Sequence, residues 1–273
     1  MPLAISIHIG VDKPARDCCS GDTATGSEAL AQALADLAEK EDFQVRATLT
    51  GARATYDAVT GAVRDVAREL NAEADHRGIL FLSFTGHGCR VPRFGDVRDS
   101  DRLNETWCLA DRSVQDDEIH DLLMLFEPGI RVLAIVESCY AGGSVELPAN
   151  RLRNLERLRE EKLLLVPPAP SLRAGGQTGC FDNPSIHFTD IRASVLVLTA
   201  CMDNQTARPG LFLNHLLDVW GQGFTGNYCE FLDQIAGSIN LAKQDQLPTK
   251  YMLGPYRPTF ARQRPFTIDS DLP

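Results

Sequence analysis

Residues 131–146 read RVLAIVESCYAGGSVE, a short apolar run that stops at Glu137, Ser138 and Cys139 and passes into small residues. A stretch such as Val132–Val136, β-branched and bounded by turn formers, fits a strand buried on both faces of a parallel sheet. Cys139 then stands at the strand's carboxyl end. In open α/β sheets that edge binds ligands, because loops converge there on a crevice while helices cover the faces. Gly142 and Gly143 let the chain turn away and leave the sulfur approachable. A lone cysteine in an apolar run is more commonly a buried structural thiol, so Cys139 decides nothing alone.

A second run changes the weight of the first. Residues 78–84, GILFLSF, read as another buried strand and break at Thr85-Gly86-His87-Gly88. The flanking glycines put His87 on a tight turn at that strand's carboxyl end. Two core strands that each end in a reactive side chain followed by glycine form a pattern that packing does not ask for. A thiolate beside an imidazole is the machinery of a cysteine protease, in which the histidine stabilises the thiolate and later protonates the leaving amine. The separation of 52 residues between His87 and Cys139 agrees with the spacing in caspases, where the histidine precedes the cysteine by about 50 residues. The amides of Gly88 and Cys139 stand where an oxyanion hole would form.

The remaining chain fits an α/β domain. A first strand is expected over Leu3–Gly10 and a second over Phe43–Leu49. Helices are expected over Ser27–Glu41, with Ser27 as N-cap, and over Tyr56–Ala74, where Val59, Val63, Val66, Ala67 and Leu70 share one face. Residues 89–115 read as polar loop with a short strand at Trp107–Leu109. A helix opened by Gln115–Glu118 follows over Ile119–Phe126, its acidic first turn explained by the helix dipole alone. Ser194–Thr199 is a further buried strand, Leu211–Val219 and Phe224–Ile239 hold helices, and the proline-rich tail from Gln246 offers at most short edge strands. Residues 147–177 mix an Arg-rich helix over Leu152–Leu164 with Pro167, Pro168, Pro170, Gly175 and Gly176, the composition of an exposed connection.

At 273 residues and 44% hydrophobic, the chain can bury the core of one large domain over 1–273, with 147–177 as a flexible connection and 254–273 as an irregular tail. A net charge of −10 disfavours nucleic acid and anionic membranes as partners. No run approaches the roughly 20 apolar residues of a membrane span, and the N-terminus lacks the pattern of a signal peptide. Eight cysteines without paired zinc spacing read as cytoplasmic thiols.

On these residues the sequence resembles metacaspases and bacterial caspase-like proteases of the peptidase C14 kind. Residues 84–88, FTGHG, look like the family's Tyr-Ser-Gly-His-Gly, and residues 137–142, ESCYAG, look like its Asp-Ser-Cys-His-Ser-Gly. Asp116-Asp117-Glu118-Ile119 is similar to an acidic segment lying between those motifs. Residues 200–206, ACMDNQT, are similar to the Gly-Cys-x-Asp-x-Gln-Thr after a later strand. The resemblance implies a caspase-like three-layer α/β sandwich, with a mostly parallel central sheet of about six strands and helices on both faces. It implies a cysteine endopeptidase with Cys139 as nucleophile and His87 as general acid and base.

The pocket for the residue before the cut bond follows from the same resemblance, which assigns it Cys19, Asp22, Thr85 and Glu137. An acidic pocket of this kind takes Arg first and Lys second. Glu137 departs from the family's Asp, and the extra methylene shortens the pocket. The resemblance also implies calcium as an activator rather than a cofactor of the chemistry, held by Asp116, Asp117 and Glu146, with Asp99 or Asp101 as a further ligand. Arg151, Arg153, Arg157, Arg159, Lys162 and Arg173 are candidate processing sites through which an upstream protease, or the enzyme itself, converts a zymogen in a defence or cell-death pathway. A basic helix on the surface of an acidic protein accounts for the same residues. The family resembles monomers more than the dimeric animal caspases. Two other readings keep the fold: a silent caspase-like interaction module, and a hydrolase of small amides or esters.

Overall fold

The computed structural model describes residues 2–16, 18, 23–92, 103–138, 190–201, 207–242, 246–255 and 258–269. Cys19, Asp22, Asp99, Asp101, Cys139, Glu146, the candidate processing sites and the expected helix at 152–164 lie outside these residues.

The central sheet is built from the β-branched runs already visible in the sequence. In chain order the strands are β1 (Ala4–Gly10), β2 (Gln44–Thr50), β3 (Ile79–Thr85), β4 (Gly88–Pro92), β5 (Leu103–Cys108), β6 (Ser113–Gln115), β7 (Arg131–Glu137), β8 (Ser194–Thr199) and β9 (Thr249–Leu253). The helices are α1 (Ser27–Lys40), α2 (Tyr56–Ala72), α3 (Asp116–Leu123), α4 (Leu211–Gly221), α5 (Tyr228–Leu241) and α6 (Pro258–Arg262). Among the described residues six strands form one sheet in the order β2-β1-β3-β7-β8-β9, parallel except for β9 at the edge.

Every residue of β1, β3, β7 and β8 is buried, which is why these strands lack polar alternation. Alternate side chains enter two cores. One holds Ile5, Leu82, Val132 and Val197 against Val59 and Val66 of α2 and Ile119 of α3. The other holds Phe81, Leu133 and Leu196 against Leu34 of α1, Phe212 of α4 and Phe231 of α5. Helices therefore cover both faces.

Three expectations are corrected, the first being that the tail offers at most short edge strands, since Pro258–Arg262 forms the helix α6. Ser27 is not the N-cap of α1, because Gly26 holds that position in the left-handed region and the Ser27 hydroxyl donates to Ala24 C=O at 2.9 Å. A carboxylate from another part of the chain does the capping, as the Glu28 N–H donates to Asp12 Oδ1 at 3.2 Å. The described residues of 89–115 are mainly strand instead of loop. β4, β5 and β6 form a small antiparallel sheet in which Gly88 pairs with Trp107. Trp107 stacks on Phe84 of β3, with ring centroids 4.8 Å apart and planes 4° from parallel. That contact fastens the small sheet to the large one.

Candidate active site

β3 and β7 are direct neighbours, and their register runs from Ile79 opposite Arg131 to Thr85 opposite Glu137. The two motifs singled out in the sequence thus leave the sheet side by side. Backbone bonds fix the turn that carries His87. Val11 N–H donates to Thr85 C=O at 3.0 Å, Gly86 N–H to Glu137 C=O at 3.1 Å, and Cys108 N–H to His87 C=O at 3.0 Å. The last bond makes His87 and Cys108 a hydrogen-bonded pair of the antiparallel ladder. Its alternation directs the N–H of Gly88 away from β5.

A cavity of about 140 Å3 opens between these strand ends. Thr85, Gly86 and His87 line it from β3, Glu137 and Ser138 from β7, Ala24 and Ser27 from the entry to α1, and Ala207 and Pro209 from the approach to α4. A larger groove of about 530 Å3 lies at the opposite, amino-terminal edge of the sheet, around Leu3, Glu41 and Phe266. None of the predicted site residues lines that groove.

Glu137 is 2% exposed. Its Oε1 accepts the Phe212 N–H of α4 at 2.9 Å. The N-cap of α4 is Gly210, at φ 77°, which has no side chain to do this, and Glu137 caps the helix in its place. Burial pushes the Glu137 carboxyl up to about 7, partly offset by the backbone N–H groups of Phe212, Leu213 and Gly210. Its Oε2, Ser138 Oγ and His87 Nε2 are all buried and have no hydrogen-bond partner among the described residues. Three unsatisfied polar atoms around one small cavity are expensive unless a ligand meets them.

The segment leading to Cys139 is held from β8. The Cys201 thiol donates to Ser138 C=O at 3.6 Å, and Thr199 Oγ1 to Cys201 C=O at 3.1 Å. Gln246 bridges β8 to the approach of α4, donating to Ala200 C=O at 2.9 Å and accepting the Arg208 N–H at 2.7 Å.

Of the predicted site residues, the structure brings together His87, Thr85 and Glu137 around the cavity and places Gly88 beside them at the start of β4. Asp116 and Asp117 stand in the first turn of α3, where Asp116 Oδ1 accepts the Asp117 N–H at 2.7 Å. Among the described residues no cluster of three or more His, Cys, Asp or Glu forms a metal site. Sequence reasoning missed the α4 backbone amides and the small residues Ala24, Ala207 and Pro209. The only signal for them is Pro209-Gly210 ahead of an apolar helix, which marks a helix start but not what it faces. It also missed a buried pair below the site, His8 Nδ1 with Ser83 Oγ at 2.8 Å.

The metacaspase family model, described as "Metacaspase, peptidase C14 domain", matches residues 10–148, more than half of the chain and a stretch that includes both His87 and Cys139. The chain belongs to this family. It is 26% identical over 171 residues to metacaspase-1 of Schizosaccharomyces pombe, covering 52% of this chain and 40% of that protein. To metacaspase-7 of Arabidopsis thaliana it is 29% identical over 94 residues, 34% of this chain and 23% of the relative. The matches thus span well under half the length of these curated relatives. Among solved structures, a protein of Geobacter sulfurreducens superposes with a TM-score of 0.71 at 27% identity, over 98% of this chain and 99% of that one. Pro-sf-caspase-1 superposes with a TM-score of 0.50 at 12% identity over 94% and 92%, which establishes the shared caspase fold. Among the described residues of this metacaspase-family chain, no helix is long and apolar enough to cross a membrane.

Proposed function

We propose that this metacaspase-family chain is a cysteine endopeptidase that cuts peptide bonds after a basic residue. The observation that carries the reading is the register of β3 on β7, which puts His87 and the Glu137-Ser138 end on adjacent strands around one cavity. In this mechanism Cys139, one residue beyond Ser138, attacks the scissile carbonyl as thiolate. His87 accepts the thiol proton and delivers it to the leaving amine, so the C–N bond breaks as the thioester forms. The N–H groups of Gly88 and Cys139 bind the carbonyl oxygen as it gains charge. Water then attacks the thioester with His87 as base and releases the free enzyme. The basic side chain enters the cavity toward Glu137, with Thr85, Cys19 and Asp22 completing the pocket.

This chemistry calls for no cofactor. Calcium is a candidate activator through Asp116, Asp117 and Glu146, and cutting at Arg151, Arg153, Arg157, Arg159, Lys162 or Arg173 is a candidate release from a zymogen. The described residues supply two of the three calcium carboxylates, and one oxygen of Asp116 is already used by its own helix. The substrate is a protein or peptide, acted on by a monomer in the cytoplasm, within a bacterial defence or cell-death pathway.

The test is cleavage of fluorogenic peptides ending in Arg, Lys or Asp by wild type and Cys139→Ala, each with calcium and with chelator. Cleavage of basic peptides by wild type only is the expected result. Cleavage after Asp, or by Cys139→Ala, would sink the reading.

A further inference from the structure

We propose that the cavity below His87 selects lysine over arginine at the residue before the cut bond, with Glu137 Oε2 and Ser138 Oγ as acceptors for the ammonium. The inference rests on the proteolytic reading above and names the substrate class of that same site.

The two oxygens of Glu137 are not equivalent. Oε1 is committed to the Phe212 N–H at 2.9 Å, and the α4 N-terminus has no cap of its own to replace it. Oε2 is buried without a partner among the described residues, as is Ser138 Oγ, and both residues line the cavity. A guanidinium binds a carboxylate best through two parallel bonds, one to each oxygen. With Oε1 spent on the helix, that fork has no counterpart on Glu137. An ammonium instead carries three donors around a single atom and bonds acceptors one at a time. One charged and one neutral acceptor, both desolvated and both unmet, suit it. The sequence places Arg first because a guanidinium can span the two carboxylates Asp22 and Glu137; with Oε1 of Glu137 taken by the Phe212 N–H, Glu137 offers that guanidinium one oxygen instead of two.

The chain's departure from the family's Asp at this position gives the inference a handle. An Asp at this position is one methylene shorter and is expected to fall short of the Phe212 N–H that Glu137 reaches.

The experiment measures kcat/KM on the full chain for two fluorogenic peptides that differ only in Lys or Arg before the reporter. A norleucine peptide serves as the uncharged control. Wild type is expected to favour Lys by about tenfold, the worth of one charge-assisted hydrogen bond. Glu137→Asp is expected to move the Lys-to-Arg ratio toward Arg, and the near-isosteric Glu137→Gln to bring it to about one while lowering both rates. Equal or faster cleavage after Arg by wild type overturns the inference and leaves cleavage after basic residues intact. A Lys preference unchanged in both variants overturns the role of Glu137. A norleucine peptide cut as fast as the basic ones, or silence toward all three, overturns the proteolytic reading together with the inference.

Discussion

Burial works against the ionisation of both Glu137 and His8, and the two act in opposite directions with pH. The Glu137 carboxyl has an ordinary value near 4.5 and is raised to about 7 by burial. Between those values the folded protein holds a proton that the unfolded chain has lost, so stability falls as pH rises through the window. The loss is on the order of 3 kcal/mol once both states are ionised. His8, fully buried, is lowered by burial from 6.5 to about 3. Here the unfolded chain binds the extra proton, so stability falls as pH drops from about 6.5 toward 3, by on the order of 5 kcal/mol. Across pH 4.5–6.5 the two slopes cancel. Urea denaturation of Glu137→Gln from pH 4 to pH 8 is expected to lack the decline toward pH 8 that wild type shows. His8→Gln, which can keep a bond to Ser83, should lack the decline below pH 4.5. Parallel pH profiles for wild type and both variants would contradict this assignment. His87 and Glu137 could be read from the sequence because each follows or ends an apolar run. The pairing of Glu137 with a backbone amide about 75 residues away could not, since an amide carries no side-chain signature.

At the scale of elements, α1 and α4 share one device. Both start from a left-handed glycine, and both borrow a carboxylate from elsewhere in the chain, Asp12 for α1 and Glu137 for α4. This explains why Ser27 misleads: serine at a helix start is a good cap by itself, but Asp12 already holds the Glu28 amide. The end of β1 must also approach α1 closely. A Cβ on Gly10 would stand 2.5 Å from Ser27 C=O and 2.7 Å from Ala31 Cβ. Gly10→Ala is therefore expected to cost about 1–3 kcal/mol through overpacking, measured by the urea midpoint. An unchanged midpoint would show that α1 can move aside freely. The small sheet escaped the sequence for a different reason. β5 reads LNETWC, and a strand with so few apolar residues is specified by its partners, chiefly by the stacking of Trp107 on Phe84. By contrast β3, β7 and β8 were legible because burial on both faces forces continuous apolar runs.

Across the whole molecule, the carboxyl edge of the sheet carries the chemistry and the amino edge is tied down from the carboxyl-terminal segment. Arg131, buried at the start of β7, donates to Gln263 Oε1 at 2.8 Å and to Thr267 C=O at 3.1 Å, and also bonds Ile268 C=O. One cation thus satisfies three acceptors near the far end of the described chain. Arg131→Met keeps the length and loses all three bonds, and is expected to destabilise the fold by about 3 kcal/mol while leaving peptide selectivity unchanged. A variant as stable as wild type would show that these carbonyls find other partners. The six-stranded order, the parallel register of β3 and β7 and the helices on both faces all follow the caspase fold expected from the two motifs. What that expectation lacked was which backbone groups the fold would turn toward the cavity, because that depends on contacts between distant segments.

The proposed His87–Cys139 centre at the adjacent ends of β3 and β7 acts on peptides with a basic side chain. Its most direct measurement is site-mapped covalent labelling by a peptide acyloxymethyl ketone carrying Lys, compared among wild type, His87→Ala and Cys139→Ala by intact and peptide mass spectrometry. One adduct on Cys139 is expected in wild type, with labelling slower by about a hundredfold or more in His87→Ala, and none at any site in Cys139→Ala. Equal labelling rates in wild type and His87→Ala, or an adduct on another of the eight cysteines, would contradict it.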